Sequence, residues 1–429
     1  MFSQKGLSLD QAPPISVVFR FFLQGALFGI VGGVLLAIYQ NGVFDPASNG
    51  ALVLTHVFTL GIMLSVMLAA LFQMLPVLAG VKLTSPVKKA NWVQYPFITG
   101  IVSLLLAFHF GKIAWLYLLA SLLLGGSLLF ISFEMIKQLL QVPNHTSSSK
   151  GITAALFSLV LLILAALYLT AALGGYNEGV HYVEIKTAHY SFGLFGWVAV
   201  LIISISFQVI EMFYVTPPYP SVMGKYLSGG ILFLLAIASI VSFFLPDVWV
   251  VCHFVLALLL VAYAILTLKR LSQRKRPISD ATVWFWRLGL GSLIVSMLCF
   301  MLGLFVQAAW IHTLAYLWFG AFALSIVFAM FYKIVPFLTW FHLNSQGYFA
   351  APMMHEIIHP KTAKKHFWIH CAMMAALILS LIVPQLILLA SLLTMLSFGW
   401  MGYQIIHAHY LYAKTQKEGQ KFNYEKPMS

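Results

Sequence analysis

Charged side chains are scarce in this sequence. Only 8% of its 429 residues are Asp, Glu, Lys or Arg, whereas 61% are hydrophobic. A soluble domain carries roughly 25% charged residues, so the chain has too little polar surface for a water-soluble fold of its length. The shortage excludes a cytosolic enzyme, a nucleic-acid-binding protein and a disordered chain, and it predicts an all-α integral membrane protein.

Cysteine and acidic residues are also few. The three cysteines, Cys252, Cys299 and Cys371, lie in apolar stretches without CxxC spacing, so the sequence predicts neither a disulfide framework nor a zinc ribbon. A CxxCH motif for covalent haem is also missing. The 24 basic residues outnumber the 11 acidic ones, which gives a net charge of +13. The placement of this charge indicates membrane topology rather than nucleic acid as a partner.

Long apolar runs fill most of the chain, and about 20 apolar residues are enough to span a bilayer. Twelve runs qualify: 16–39, 51–80, 94–110, 113–140, 152–174, 187–214, 226–245, 249–270, 284–309, 311–340, 366–384 and 386–413. The sequence therefore predicts a twelve-helix transmembrane domain over 16–413. A cytoplasmic N-terminal segment, 1–15, precedes this domain, and a cytoplasmic C-terminal tail, 414–429, follows it.

Lysine and arginine predict the orientation of these spans. With twelve spans, 22 of the 24 basic residues fall on the face that holds both termini, and only Lys112 and Lys186 fall on the other. The positive-inside rule places the basic face in the cytoplasm. We expect a multi-pass protein of the bacterial inner membrane, with membrane lipid as its first partner.

The second, sixth and tenth spans share a layout. Each begins with a histidine, continues to a glycine and ends near an aromatic residue and a proline. The histidines are His56, His189 and His312, which lie 133 and 123 residues apart. The spacing suggests three pseudo-repeated four-helix units, and internal repeats of membrane proteins commonly meet at a shared ligand site.

Five of the fourteen histidines are predicted to lie at one depth, under the face opposite the basic loops. They are His56, His109, His189, His253 and His312, and we call them the histidine layer. An ionisable side chain within a membrane is costly without a partner, so it is a functional candidate. Each histidine could instead bond a headgroup, a backbone carbonyl or another helix. Three matching positions favour a shared function.

Neutral imidazole is a common metal ligand and the usual axial ligand of b-type haem iron. One histidine from each of two facing helices can hold a haem edge-on between them. Gly61, Gly193 and Gly320 would leave room for the macrocycle.

Three charged residues, Glu134, Glu211 and Lys333, fall within apolar runs. Glu211 lies 22 residues after His189, and Lys333 lies 21 residues after His312. At 1.5 Å per residue these distances are about 30 Å, which predicts positions at the cytoplasmic interface. Without a charge pair at the midplane, a proton-coupled transporter is a weaker hypothesis.

The twelve-helix layout with histidines on spans two, six and ten resembles subunit I of the haem-copper oxidase superfamily. It also resembles the smaller NnrS-type membrane proteins of bacterial nitric oxide metabolism. The resemblance implies that His56 and His312 are the axial ligands of a haem b, and that His189 is a copper ligand.

The chain also departs from the respiratory members of that superfamily. Span seven has no adjacent histidines, span ten has only His312, and Gly193 stands one turn after His189 where a tyrosine is usual. What remains is one bis-histidine haem, or copper or another transition metal held by two or three of His56, His189 and His312.

The expected function is electron transfer or the handling of a diatomic gas such as nitric oxide, and whether the protein is an enzyme stays open. Its partners would include a redox protein and further subunits in a homo- or hetero-oligomer. The alternative is a non-enzymatic membrane carrier or assembly factor for a transition metal or haem.

The loop between spans ten and eleven contains His355-Glu356-x-x-His359, which has the spacing of the zincin signature. Pro360 is expected to end the helix after the second histidine, and the third histidine of a metzincin is missing. The sequence favours an interfacial loop whose lysines and histidines, including His366 and His370, contact lipid headgroups. A cytoplasm-facing metalloprotease is the third hypothesis.

Overall fold

The computed structural model describes residues 13–81, 83–111, 113–276, 280–306 and 308–421. Within these ranges the secondary structure is helical, apart from one isolated β-bridge between Tyr348 and Lys421. Residues 1–12 of the predicted N-terminal segment and 422–429 of the predicted tail lie outside the described residues.

The described residues form twelve long helices, three of them composed of consecutive helical segments. They are α1 (Ile15–Tyr39), α2 (Asn49–His56, Val57–Leu64 and Ser65–Ala79), α3 (Pro86–Phe110), α4 (Ala114–Ala120, Ser121–Gly125 and Gly126–Leu140), α5 (Ser147–Leu173), α6 (Tyr182–Ser191, Phe192–Ala199 and Val200–Tyr214), α7 (Ser221–Val241), α8 (Pro246–Ser272), α9 (Ala281–Gly303), α10 (Ala309–Ser345), α11 (Pro360–Leu379) and α12 (Leu386–Glu418). A one-turn helix, Met354–Ile357, lies between α10 and α11.

Eleven of the described helices are long and apolar enough to cross a membrane, so the chain is a multi-pass membrane protein. The exception among the long helices is α11, whose first turns carry Lys361, Lys364 and Lys365. Several helices begin before the predicted apolar runs: α3 begins at Pro86 rather than 94, and α11 at Pro360 rather than 366. The early turns are polar, and a search for apolar runs excludes them.

The short breaks between helices lie close to the predicted ones. Gly111 ends α3 with a φ of 62°, a conformation that strains other residues. Pro86, Pro246 and Pro360 each occupy a first helical position, where the missing N–H costs nothing.

Each long helix packs on its neighbours along the chain, and α12 packs along α1, so the bundle closes on itself. Small residues permit this closure. A Cβ atom at Gly29 would lie 2.1 Å from the ring of Phe398, and the Ser391 hydroxyl donates to the Gly33 carbonyl at 2.7 Å. The apolar windows of α6 and α10 are the most enclosed among the spans, at 78% and 67% buried.

Of the three helices that carry His56, His189 and His312, the first two contain a π-helical stretch. In α2 a π-helix, Val57–Leu64, follows His56 directly, and in α6 a π-helix, Phe192–Ala199, begins three residues after His189. The described part of α10 is α-helical throughout. Short π-helical stretches are rare and occur frequently at functional sites. A third one, Ser121–Gly125, lies in α4, so a π-helix does not by itself distinguish the histidine-bearing helices.

The three charged residues within apolar runs all have partners near helix ends. Glu134 pairs with Lys89 near the start of α3, and Lys333 pairs with Asp280 at 2.6 Å. Glu211 accepts a hydrogen bond from the backbone N–H of Tyr219 in the α6–α7 connection. These groups stabilise helix ends on the side that holds the α2–α3, α6–α7 and α8–α9 connections.

Candidate functional site

His56 of α2 and His189 of α6 lie against each other. Their ring centroids are 6.4 Å apart, and their planes are inclined by 23°. Phe108 of α3 covers the His56 ring, with 4.8 Å between centroids. The fold therefore joins two histidines that are 133 residues apart in the sequence.

Both imidazoles are held through the same ring nitrogen. His56 Nδ1 lies 2.8 Å from the Leu52 carbonyl one turn earlier, and His189 Nδ1 lies 3.4 Å from the Leu162 carbonyl of α5. A carbonyl can only accept, so Nδ1 carries the hydrogen and Nε2 keeps its lone pair. Metal-binding histidines typically show this arrangement, in which a backbone carbonyl orients the ring through the nitrogen that does not bind the metal.

The separation of the two rings is compatible with binding to one metal ion. With a metal–nitrogen bond of about 2.0 Å, two imidazoles on opposite sides of an ion place their centroids about 6.3 Å apart. The observed 6.4 Å is close to that distance. To share an ion, the two rings would have to turn so that both Nε2 atoms face it.

The other members of the histidine layer lie nearby but use their nitrogens differently. His253 of α8 contacts the Ser191 hydroxyl through Nε2 and the Trp249 carbonyl through Nδ1, each at 3.0 Å. His109 of α3 is hydrogen-bonded to the Tyr39 hydroxyl. Because both ring nitrogens of His253 are hydrogen-bonded, the residue is best explained as a structural contact between helices.

His312 lies at a cavity of about 340 Å³ between α1, α2, α10, α11 and α12. Thr55 and Tyr316 contribute further polar groups to its mostly apolar wall, and the buried Tyr316 hydroxyl has no hydrogen-bond partner among the described residues. The His312 ring also packs on the end of α9, because a Cβ atom at Gly303 would lie 2.8 Å from His312 Cε1.

The three glycines predicted to make room for a macrocycle differ in their surroundings. A Cβ atom at Gly61 would lie 2.7 Å from Phe28, and one at Gly193 would lie 3.4 Å from Leu162. At Gly320, which lines the cavity, the nearest atom would be 3.8 Å away, on Phe58. Only Gly320 therefore opens onto free space.

The structure brings together one pair of the three predicted ligands. The His56 ring stacks on His189, whereas His312 lines the cavity, whose α2 wall includes Thr55. Within the described ranges no three His, Cys, Asp or Glu side chains form a group that could hold a metal ion. The axial pair of His56 and His312 and the three-histidine set stay predictions.

The His355-Glu356-x-x-His359 segment does not form a zincin helix. The one-turn helix ends at Ile357, and His359 accepts from the Lys361 N–H through Nδ1 as the N-cap of α11. The expectation that Pro360 ends a helix is wrong, because Pro360 is the first residue of the next one. Glu356 accepts from the Met353 N–H at 2.7 Å, which is a capping role rather than a catalytic one.

The prediction that His366 and His370 contact lipid headgroups is also wrong. Both are fully buried in the bundle, at 0% exposure. His366 contacts the Tyr332 hydroxyl through Nδ1 and the Ser397 hydroxyl through Nε2, and His370 contacts the Ser325 hydroxyl through Nε2. Their spacing was the available signal, since His366, His370 and Met373 follow the i, i+4, i+7 pattern of a buried helix face.

The candidate site is thus a pair of oriented imidazoles with free Nε2 lone pairs, beside a separate cavity that holds a third. Imidazole nitrogen suits copper, zinc and haem iron. No protein-family model matches the chain, and no protein of curated function matches its sequence, so the geometry of the histidines carries the functional argument.

Proposed function

We propose that the protein binds a redox-active metal cofactor, a b-type haem or a transition metal ion such as copper, in the histidine layer of a bacterial inner membrane. Its role would be electron transfer or the handling of a diatomic gas such as nitric oxide. The observation that carries this proposal is the pairing of His56 with His189 at 6.4 Å, each ring held through Nδ1.

The surroundings of the pair favour a bound ion over a pair of structural histidines. Both histidines are half-buried among α2, α3, α5 and α6, and neither Nε2 atom is hydrogen-bonded to another group of the described residues. A metal ion would accept both lone pairs, since neutral imidazole is a common metal ligand. The π-helices after His56 and His189 agree with this interpretation, although α4, which carries neither histidine, has one as well.

A haem would be held by His312, in the cavity that Gly320 opens, together with His56. A cavity of 340 Å³ lies within the usual range for small-molecule sites, about 300–1,000 Å³. When bound, haem iron would supply one-electron redox chemistry. The apolar wall would exclude water from the iron, and a separate redox protein would exchange electrons with it.

The topology proposed for this function has twelve spans with both termini in the cytoplasm. In this topology α11 is the twelfth span, because it packs along α12 and contacts α9 and α10 as an integral part of the bundle. The distribution of lysine and arginine supports the orientation. A π-helix follows the histidine in both α2 and α6, which agrees with a pseudo-repeat that relates them, but α10 has none and α4 has one.

The test is a visible spectrum together with metal analysis of protein purified from haem-replete cells. We expect a Soret band and a reduced α-band typical of b-type haem, or stoichiometric transition metal without haem. Either cofactor should fall at least tenfold in the His56→Ala variant, and the losses in His189→Ala and His312→Ala assign the other ligands. His109→Ala, in the same layer, is the control that should keep the cofactor.

A colourless preparation without metal would overturn the proposal. So would a cofactor that persists at full occupancy in a His56→Ala/His189→Ala/His312→Ala triple variant. Gel filtration of each variant distinguishes cofactor loss from misfolding.

The alternative is a carrier or assembly factor for a transition metal or haem, and the cavity is the observation that favours it. A single imidazole in an apolar wall holds a porphyrin less tightly than two axial ligands do, as transfer to another protein requires. Purified, loaded protein should then pass its cofactor to an apo-acceptor within minutes. Retention of the cofactor over many hours would exclude this alternative.

A further inference from the structure

A groove on the side of the bundle runs between α3 and α4. Trp92 and Pro96 of α3 form one wall, and Leu122, Gly126 and Phe130 of α4 form most of the other. Trp92 and Leu122 are exposed. Because both helices are apolar enough to cross a membrane, the exposed surface between them faces lipid rather than water.

The groove lies where both helices depart from regular α-helical hydrogen bonding. Pro96 lies inside α3, where it has no N–H to donate to the Trp92 carbonyl. The opposite wall contains Leu122 and Leu123, which belong to the π-helix Ser121–Gly125 of α4. This π-helix carries no histidine, so the proposed cofactor site does not account for it.

Two glycines contribute to the shape of the groove. A Cβ atom at Gly100 would lie 2.8 Å from the Leu124 side chain, so α3 and α4 are in close contact one turn after Pro96. At Gly126, which is exposed, a Cβ atom would meet nothing within 4 Å. The space at Gly126 is therefore open, and an added side chain can enter it without displacing a neighbouring helix.

The wall of the groove is suited to a hydrocarbon chain. Ser127 supplies the only hydroxyl among the lining residues, and it already donates to the Leu123 carbonyl at 2.6 Å. On α4 the lining extends from Leu122 to Phe130, a length of about 12 Å. The rings of Trp92 and Phe130, with centroids 5.9 Å apart, meet at the end nearest the α2–α3 connection.

Basic side chains lie next to this end of the groove. Lys88 Nζ lies 5.0 Å from the centre of the Trp92 ring. Lys137 follows Phe130 by seven residues, which is the spacing of a single helix face. Both lysines are exposed, and neither forms an ion pair within the part of the chain that the structure describes.

The charge at this end is unbalanced. Among the residues of α3 and α4 the only carboxylate is that of Glu134, which pairs with Lys89. That pair leaves the positive charges of Lys88 and Lys137 uncompensated. An anionic group complements these lysines, and a hydrocarbon chain complements the apolar wall. A phospholipid with a negatively charged headgroup supplies both parts in one molecule.

We propose that the groove between α3 and α4 binds one anionic phospholipid, with an acyl chain along Pro96 and Gly126 and the phosphate near Lys88 and Lys137. The lipid belongs to the leaflet on the side of the α2–α3 connection, which is the cytoplasmic leaflet of the proposed topology. Trp92 then lies between phosphate and chain, a depth at which tryptophan is enriched in membrane proteins. This inference does not depend on the proposed cofactor, because it uses none of the histidines.

Native mass spectrometry of the full-length protein tests the site. Protein freed of lipid by detergent exchange would be titrated with dioleoyl phosphatidylglycerol or, separately, with dioleoyl phosphatidylcholine. We expect the wild type to bind one phosphatidylglycerol more tightly than any further copy, and more tightly than phosphatidylcholine. Lys88→Gln should weaken phosphatidylglycerol binding about fivefold, the effect of one lysine at a membrane surface, and leave phosphatidylcholine binding unchanged.

Gly126→Leu tests the apolar wall. The leucine side chain would occupy the open space, so the binding of both lipids should fall at least tenfold. Gly230→Leu on α7 is the matched control, because Gly230 is also exposed and a Cβ atom there also meets nothing within 4 Å. Lys364→Gln is the control for charge, since Lys364 lies 5.4 Å from the Trp284 ring on other helices. Both controls should bind as the wild type does.

Equal phosphatidylglycerol binding by the wild type, Lys88→Gln and Gly126→Leu would overturn the proposal. Equal binding of the two lipids by the wild type would also overturn it, because the lysines would then select no headgroup. The same spectra report the mass of the assembly. A wild-type dimer that becomes a monomer in Gly126→Leu would assign the groove to a second copy of the chain instead. If one variant fails to fold by gel filtration, the other decides.

Discussion

The His56–His189 pair and the His366–His370 pair both lie inside the helix bundle, but their ring nitrogens are used differently. In the first pair each Nδ1 is held by a backbone carbonyl, at 2.8 and 3.4 Å. In the second pair three of the four nitrogens contact side-chain hydroxyls, at 2.7 to 2.9 Å. A carbonyl fixes the tautomer and leaves a lone pair for a metal ion, whereas hydroxyls allow hydrogens to move.

The backbones around the two pairs differ as well. The first pair lies where α2 and α6 change to π-helix, and the second lies on the regular helix α11. A π-helix widens the turn and shifts the face on which later side chains lie. The two pairs therefore differ in backbone conformation as well as in the partners of their ring nitrogens.

The largest expected effect separates the pairs by cofactor content. His189→Gln should lower bound haem or metal at least tenfold, because the amide is a poor ligand for either, whereas His366→Gln should leave the content unchanged. Metal analysis and the Soret absorbance per protein provide the measurement. Equal losses in both variants would mean that the pairs do not differ in function.

The second effect concerns the stability that the hydrogen bonds of His366 provide. His366→Ala leaves the buried hydroxyls of Tyr332 and Ser397 without their partner, and each loss costs about 1–3 kcal/mol. We expect the thermal unfolding temperature to fall by several degrees. His366→Gln should recover part of that loss, since the amide can bond one hydroxyl. A variant as stable as the wild type would show that these hydrogen bonds do not hold α10, α11 and α12 together.

Much of the fold could be predicted from the sequence because hydrophobicity decides where a chain crosses a membrane. The apolar runs and the breaks near Gly111 and Pro384 follow from hydropathy and backbone chemistry. Hydropathy does not predict the polar first turns of α3 and α11. A lysine-rich helix start has the composition of a loop, and only the packing of neighbouring helices on one of its faces identifies it as helix. Because His366 and His370 follow this lysine-rich start, the sequence predicts an interfacial position for them.

The candidate site was only partly predictable. Sequence spacing placed His56, His189 and His312 at one level, but which two of them meet depends on how the helices are rotated. The π-helices set that rotation in α2 and α6, and they have no clear sequence signal. The direction in which each ring points could not be predicted without the packing of Phe108, Leu162 and Gly303.

A third, smaller effect tests whether a histidine with both ring nitrogens hydrogen-bonded has a structural role. His253 belongs to the layer of the first pair, but like His366 it uses both nitrogens, with Ser191 and the Trp249 carbonyl as partners. His253→Gln should keep full cofactor content and lose about 1 kcal/mol of stability, the typical value of one hydrogen bond. Metal analysis and thermal unfolding of the same sample give both readouts. A tenfold cofactor loss would instead assign His253 to the metal site.

The smallest effect concerns the ion pair between Asp280 and Lys333. Burial pushes the pKa of Asp280 upward, but the charge and hydrogen bond of Lys333, together with bonds from Thr282 and Val283, outweigh it, so the pKa lies below its usual value. A lowered pKa gives stability that is present above the usual pKa of about 3.9 and is lost as the pH falls through the lowered value.

Asp280→Asn keeps an N-cap for α9 but loses the charge. Because the side chain is 41% exposed, water weakens the pair, and we expect a loss of roughly 0.5 kcal/mol at pH 7. Thermal unfolding of both proteins at pH 7 and about pH 3 should show the difference shrinking in acid. A difference that grows in acid would contradict this assignment.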